Sequence, residues 1–233
     1  MIKYLEWDSN FLGFKVGSIS QLNTETLEQA LEYAKSEKYK LIYLFAAADC
    51  FVPTDFLQKY NGKLVDRKVL YVYGLSDQVI TNYDQTNLYT SPEVSDDLLQ
   101  LAYESGKYSR FKLDKNLTPK VFTDMYKLWI ENSVNGQMAD RIYVVEQDNK
   151  ITAMLTLKEK SETLHIGLIA TAVESQGRGF GKQLINRTRQ TAFELGLKNI
   201  EVPTQYDNKQ ACRFYEACGF QVKSIINIYH FWL

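Results

Sequence analysis

Apolar residues recur with two different periods along this chain, and the switches between them mark out its elements. Between Thr24 and Lys38, Leu27, Ala30, Leu31 and Ala34 return at three- and four-residue steps, which predicts a helix with one apolar face. Leu41 to Ala47 is continuously apolar and short, the pattern of a buried strand. Around these lie a short strand at Lys15 to Ile19, a helix at Pro53 to Tyr60 opened by proline in its first turn, and a long strand at Lys63 to Leu75 after Gly62. The order β-α-β-α-β over residues 1–84 predicts a small α/β lobe. Ser76 to Thr86 has no apolar periodicity and is read as a linker, so a second domain is expected over residues 85–233.

From Leu88 the expected order is a short strand, a helix at Ser95 to Glu104, a loop from Ser105 to Leu117, and a helix at Pro119 to Ser133. The last turns Phe122, Met125, Tyr126, Trp129 and Ile130 inward. Strands at Arg141 to Glu146, Ile151 to Leu157 and Thr163 to Val173 follow as a meander. A glycine-rich turn leads into a helix carrying Leu184, Ile185, Thr188, Ala192 and Leu195 and stopped by Gly196. Then come a strand at Asn199 to Val202, a helix through Tyr215 ended by Gly219, and a last strand within Ile225 to Leu233. Asp207 and Gln210 stand in the relation of a capping box at the start of the Tyr215 helix. Antiparallel hairpins feeding a parallel crossover predict a mixed sheet of the α/β (α+β) class with helices on both faces.

Composition adds exclusions. Apolar residues make up 45% and charged residues 24% of the chain, the proportions of a globular protein. A formal net charge of −1 without any basic run argues against nucleic acid or an anionic membrane as main partner. Leu41 to Ala48, the longest apolar run, is too short to span a bilayer, and MIKYLEWDSN lacks the apolar core of a signal peptide, so no membrane insertion and a cytoplasmic location are expected. Cys50, Cys212 and Cys218 are odd in number and suggest neither a disulfide framework nor a metal site. His165 and His230 lie in strand runs and are read as structural, as is Cys212.

The stretch that carries chemistry is Ala170 to Gly181, ATAVESQGRGFG, followed by Lys182, where a strand breaks into glycines and a helix begins. Free N–H groups and the positive dipole end at a helix mouth form an anion site, and glycines let a phosphate approach the backbone. Two familiar phosphate motifs are excluded. A P-loop requires Gly at 176 and Ser or Thr at 183, where Gln176 and Gln183 stand; a dinucleotide fingerprint requires Gly at 182, where Lys182 stands. Further on, Asn208, Cys212 and Tyr215 share one face of a helix, a polar face carrying a phenol.

Together, Q-x-x-G-x-G at Gln176 to Gly181 and N-x-x-A-x-x-F-Y-E-x-x-G-F at Asn208 to Phe220 resemble the GNAT superfamily of acyl-CoA N-acyltransferases, over roughly Leu88 to Leu233. The resemblance implies acetyl-CoA as cosubstrate and no metal. It implies that Gln176, Gly177, Arg178, Gly179, Phe180, Gly181 and Lys182 hold the pyrophosphate, and that the backbone of Ile169, Thr171, Ala172 and Val173 pairs with pantetheine. It further implies that the Ile169 N–H faces the thioester oxygen, that Asn208 reaches the pantetheine arm, and that Tyr215 is the general acid for the departing thiolate. The stretch Val202 to Asn208, with Pro203, is longer than the family spacing and is read as a bulged strand end.

A second resemblance runs through nearly the whole chain. EWDSNFLGFKVG near the N-terminus, S-R-F-x-x-D at Ser109 to Asp114, W-I-x-N-S at Trp129 to Ser133 and the terminal YHFWL are similar to the dTDP-fucosamine acetyltransferases, which N-acetylate a dTDP-4-amino-4,6-dideoxy sugar for surface polysaccharides. It implies an amine acceptor of the dTDP-amino-sugar kind and a homodimer. Tyr108, Arg110, Phe111 and Asp114 are the acceptor candidates: an arginine can fork onto a diphosphate and an aromatic ring can stack on a base. Two other readings remain open, an acetyltransferase for another amine such as a polyamine, antibiotic or protein N-terminus, and an acyl-CoA-binding regulator without turnover.

Overall fold

The structure is a computed structural model describing residues 2–20, 24–75 and 86–233. Its elements are β1 (Lys3–Tyr4), α1 (Glu6–Leu12), β2 (Val16–Ile19), α2 (Thr24–Ser36), β3 (Leu41–Ala47), α3 (Thr54–Lys59), β4 (Gly62–Gly74), β5 (Thr86–Leu88), α4 (Asp96–Ser105), α5 (Arg110–Leu113) and α6 (Pro119–Val134). They continue with β6 (Arg141–Gln147), β7 (Lys150–Lys160), β8 (Thr163–Thr171), a 3₁₀ turn at Val173–Ser175, α7 (Phe180–Glu194), β9 (Asn199–Gln205), α8 (Lys209–Ala217) and β10 (Gln221–Trp232). The expected linker lies outside the described residues except for Thr86, which begins β5.

The chain forms two compact units. One comprises the residues up to Val69 with Gln205–Asp207 and Ser224–Leu233; the other comprises Leu70–Thr204 and Asn208–Lys223.

In the first unit the strand order is β1-β2-β3-β10, with β2 parallel to β3 and β10 antiparallel to it, Trp232 opposite Leu41. The apolar face of α2 packs as its spacing requires: Leu27, Leu31 and Ala34 lie against Ile42 and Leu44 of β3 and Phe231 of β10. Each large apolar side chain buried this completely contributes about 1.5–3 kcal/mol. The sequence pattern missed β1 and α1, which precede the expected β-α-β-α-β order. A short helix like α1 is held by tertiary bonds rather than by periodicity. The Ser9 hydroxyl donates to Leu5 O at 2.7 Å and accepts the Val16 N–H at 2.9 Å, tying α1 to β2.

In the second unit the order is β9-β8-β7-β6-β5, antiparallel except for the parallel pair β8–β9. Helices α4 and α6 pack on each other, α4 against β7 and β8, and α7 against β6, β7 and β8. Three expectations need correction here. The loop from Ser105 to Leu117 contains the helical turn α5. Strand β8 ends at Thr171, and Val173 opens the 3₁₀ turn instead of continuing the strand. Strand β9 runs through Pro203 to Gln205; proline has no N–H for a ladder, and it stands beyond the last residue of β9 that pairs with β8.

Candidate functional site

The site begins where β8 and β9 part. The two strands pair only over Thr163–His165 and Asn199–Glu201, so from Ile166 onward β8 has one free edge. Which groups face that edge follows from alternation. Leu168 N donates to Thr156 Oγ1 and Ala172 N to Thr152 O, both at 2.8 Å and both toward β7. The intervening pairs Leu155–Ile169, Met154–Ala170 and Ala153–Thr171 are in regular register. The N–H and C=O groups of Ile169 and Thr171 therefore point away from β7, onto the free edge.

Beyond the strand, the Gln176 side chain closes the corner. Its Nε2 donates to Thr171 O at 3.3 Å and to Glu104 Oε1 at 3.5 Å, and its Oε1 accepts from Gln210 Nε2 at 3.2 Å. One side chain thus joins the end of β8, the end of α4 and the first turn of α8. The loop that follows needs glycine twice for conformational reasons: Gly177 and Gly179 have φ of +77° and +87°. Gly179 is the N-cap of α7 and supplies no side-chain cap. The first helical bond is Gln183 N to Gly179 O at 3.1 Å, so the N–H groups of Phe180, Gly181 and Lys182 precede any i−4 carbonyl within the helix. They and the helix dipole present a positive end to an anion. Gly181 serves packing instead, since a Cβ there would stand 3.1 Å from Phe214 Cζ.

Helix α8 brings the phenol. Its N-cap is Asn208, not Asp207: Asn208 Oδ1 accepts the Ala211 N–H at 3.1 Å, while Asp207 pairs with Arg67. The Asn208 oxygen stands three residues before its donor, the spacing of an N-cap, one residue later than the capping box expected at Asp207. Tyr215 is 3% exposed, its ring packed among Tyr71, Phe214 and Phe220 at 5.4–5.8 Å between centroids. Burial pushes its hydroxyl pKa well above the ordinary tyrosine value, and the neighbouring Cys218 and Cys212 push it further. The phenol stays protonated across the physiological range.

These parts line one cavity of about 460 Å³. Ile169, Ala170 and Thr171 come from β8; Gln176, Gly177, Gly179, Phe180, Gly181 and Lys182 from the glycine loop and the start of α7; Asn208 and Tyr215 from α8. Ala172, Val173 and Arg178 lie off its wall. Val173 is 67% exposed, and the Arg178 guanidinium lies over the Phe180 ring at 5.2 Å.

The acceptor candidates are placed differently. Glu104, Ser105 and Lys107 reach the cavity wall, whereas Tyr108, Arg110, Phe111 and Asp114 do not. The Arg110 guanidinium lies over the Phe111 ring at 4.9 Å. Asp114 is 2% exposed, and its Oδ1 accepts the Asn116 N–H at 3.0 Å, the geometry of a residue that shapes its loop. Sequence reasoning did not single out Glu104, Lys107 or Phe214. Glu104 and Lys107 form an ion pair, Glu104 at the end of a predicted helix and Lys107 in the loop expected after it, and Phe214 adjoins Tyr215; their only sequence signal is that adjacency. No cluster of His, Cys, Asp and Glu fit to hold a metal occurs among the described residues.

Known proteins resemble this chain in sequence and in fold. The model of the acetyltransferase (GNAT) family matches residues 107–220. The chain is 26% identical over 228 residues to the dTDP-fucosamine acetyltransferase of Escherichia coli O6:H1, covering 96% of this chain and 94% of that one. It is 24% identical over 155 residues to the spore coat polysaccharide biosynthesis protein SpsD of Bacillus subtilis, covering 64% of this chain and about half, 53%, of that one. Among solved structures, a GCN5-related N-acetyltransferase from Sphaerobacter thermophilus superimposes with a TM-score of 0.56 at 13% identity, covering 92% of this chain and 72% of that one.

Proposed function

We propose that this chain, whose residues 107–220 are a GNAT acetyltransferase domain, moves the acetyl group of acetyl-CoA to the amine of a nucleotide-activated amino sugar of the dTDP-4-amino-4,6-dideoxy kind. GNAT enzymes use acyl-CoA. The observation that carries the reading is the convergence in one cavity of a free strand edge, an uncapped helix start behind two left-handed glycines, and a buried phenol.

In this reading the pyrophosphate of acetyl-CoA lies on the amides of Gly179 to Lys182, with the Lys182 side chain at hand. The pantetheine arm runs along the free edge of β8 as an added strand. It meets the N–H of Thr171, which leaves the Ile169 N–H for the thioester; the Thr171 carbonyl is already held by Gln176. The Asn208 carboxamide has its oxygen engaged as a helix cap, so its NH₂ is the group left for the arm. The neutral amine attacks the thioester carbon, forming the C–N bond, and the carbonyl oxygen becomes an oxyanion facing the Ile169 N–H. Collapse breaks the C–S bond, the thiolate takes its proton from the Tyr215 hydroxyl, and the phenolate regains a proton from water once the products leave. The proton of the new ammonium passes to water, because an amino-sugar amine titrates close enough to neutrality to be partly free.

For the acceptor, Arg110 is the candidate for the diphosphate and Phe111 or Tyr108 for the base, with Asp114 holding their loop in shape. The resemblance to dTDP-fucosamine acetyltransferase over most of both chains supports a sugar nucleotide. A thiol-release assay with acetyl-CoA against dTDP- and UDP-amino sugars, polyamines and aminoglycosides tests it. Turnover on a dTDP-amino sugar well above every other amine is expected; preference for a polyamine or aminoglycoside would replace the acceptor assignment, and no thiol release with any amine would refute transfer.

A further inference from the structure

We propose that Thr156 is a positioning residue for acetyl transfer, its side-chain hydroxyl fixing the direction of the Ile169 amide. The inference rests on the reading above, in which that amide meets the thioester oxygen.

The register between β7 and β8 changes at one place. Leu155 stands opposite Ile169, but Leu157 stands opposite Ile166, so Gly167 and Leu168 together face the single residue Thr156. This is a β-bulge, with the extra residue in β8 directly before Ile169. A bulge leaves one N–H without its ladder partner. Here that N–H belongs to Leu168, and the acceptor is the Thr156 hydroxyl at 2.8 Å, in a buried setting where Thr156 is 1% exposed. The same oxygen explains the glycine below it: a Cβ on residue 167 would stand 2.8 Å from Thr156 Oγ1, closer than real Cβ contacts allow. Gly167 is therefore the space that the hydroxyl occupies.

The consequence for Ile169 follows from alternation. With the Leu168 N–H anchored toward β7, the next N–H must point to the opposite edge, and that edge is the wall of the cavity. Without the hydroxyl, the Leu168 N–H would be buried with no acceptor. The segment would then turn toward the Thr156 backbone carbonyl to recover one, rotating the Ile169 amide off the free edge. A rotation of this kind matters little for holding CoA and much for meeting a developing oxyanion, because catalysis depends on donors placed beforehand.

The test uses the full chain and separates binding from chemistry. Thr156→Val keeps the shape and removes the acceptor; Thr156→Ser keeps the oxygen. CoA lacks the carbonyl oxygen that acetyl-CoA carries, so its Kd by calorimetry reports the rest of the site. In Thr156→Val, kcat should fall about 10²-fold, as when one oxyanion donor is lost, while the CoA Kd stays within about threefold, well inside the spread of that catalytic effect. Thr156→Ser should retain kcat within about the same threefold margin. If Thr156→Val does not fold, Thr156→Ala makes the same deletion with less bulk, and the same two readouts decide. Wild-type kcat in the variant lacking the hydroxyl overturns the proposal. So does a parallel loss of kcat and CoA affinity, or a serine variant as impaired as the valine one. Failure of wild-type protein to bind CoA at all would instead refute the proposed function.

Discussion

Tyr215 shows how burial tunes a single group for a task. Its ring is enclosed by three aromatic neighbours, and that enclosure holds the hydroxyl in its protonated form. Tyr215→Phe keeps the ring and deletes the donor, so folding and CoA affinity should survive. The kcat should fall by about 10² to 10⁴, the range for a positioned general acid, with both KM values nearly unchanged. Steady-state kinetics check this, and turnover within a few-fold of wild type would leave the thiolate to be protonated by water. The sign of the pKa shift gives a second expectation. An acid whose pKa is raised works at every pH below that value, so kcat should show no alkaline decline up to about pH 10, the ordinary tyrosine pKa. A decline near pH 8 at saturating substrates would assign the proton to another group. Arg110 is tested through the other substrate: Arg110→Ala should raise the acceptor KM at least about tenfold and leave that of acetyl-CoA alone, with only partial rescue by lysine, which lacks the bidentate fork. Equal effects on both KM values would make Arg110 structural. The phenol and the asparagine were legible in the sequence because they fall on one helical face. Thr156 was not, because a threonine in a strand looks the same whether its hydroxyl fills a bulge or faces solvent.

At the scale of elements, the glycine loop and α7 depend on conformations that the sequence announces clearly. Gly179→Asp puts a side chain at a φ of +87°, a left-handed position that costs non-glycine residues about 1 kcal/mol or more. The space around the added Cβ is open, so the fold should persist. A carboxylate at the helix mouth would repel the pyrophosphate, however, and the rise in Tm that acetyl-CoA gives by binding only the native state should vanish. A thermal-shift titration reads this directly; an undiminished shift would move the anion site away from the loop. The long periodic elements α2, α6 and α7 could be read from spacing alone, since each buries one continuous apolar face. The short ones could not. α1 depends on the two Ser9 bonds, and α5 is a single turn between loops. The end of β8 was overrun because Ala172 and Val173 continue its apolar composition, whereas the backbone turns at Ala172 into the 3₁₀ turn.

At the scale of the whole molecule, the chain passes between the two units within single elements. The boundary falls inside β4 at Val69 and Leu70, inside β9 at Thr204 and Gln205, and inside β10 at Lys223 and Ser224. A polar stretch after β4 marks a visible pause in the sequence, yet the unit that holds the candidate site already begins at Leu70. That early segment is not peripheral to the site. Tyr71, 2% exposed, packs its ring against Tyr215 at 5.6 Å and bonds through its hydroxyl to Glu216 at 2.8 Å, and Tyr73 packs against Phe220 at 5.4 Å. A fragment of residues 85–233 would lack these contacts and leave one side of the Tyr215 ring open to water. Losing a buried aromatic partner costs about 3–5 kcal/mol, a large part of what keeps a domain folded. Expressed alone, the fragment should therefore unfold at a much lower temperature than the full chain and show no acetyl-CoA-dependent rise in Tm, measured by circular dichroism and thermal shift. A fragment that melts near the full chain's Tm and is stabilised by acetyl-CoA as strongly would show that the strand before residue 76 contributes nothing to the site, and that the sequence pause after β4 is the true domain boundary.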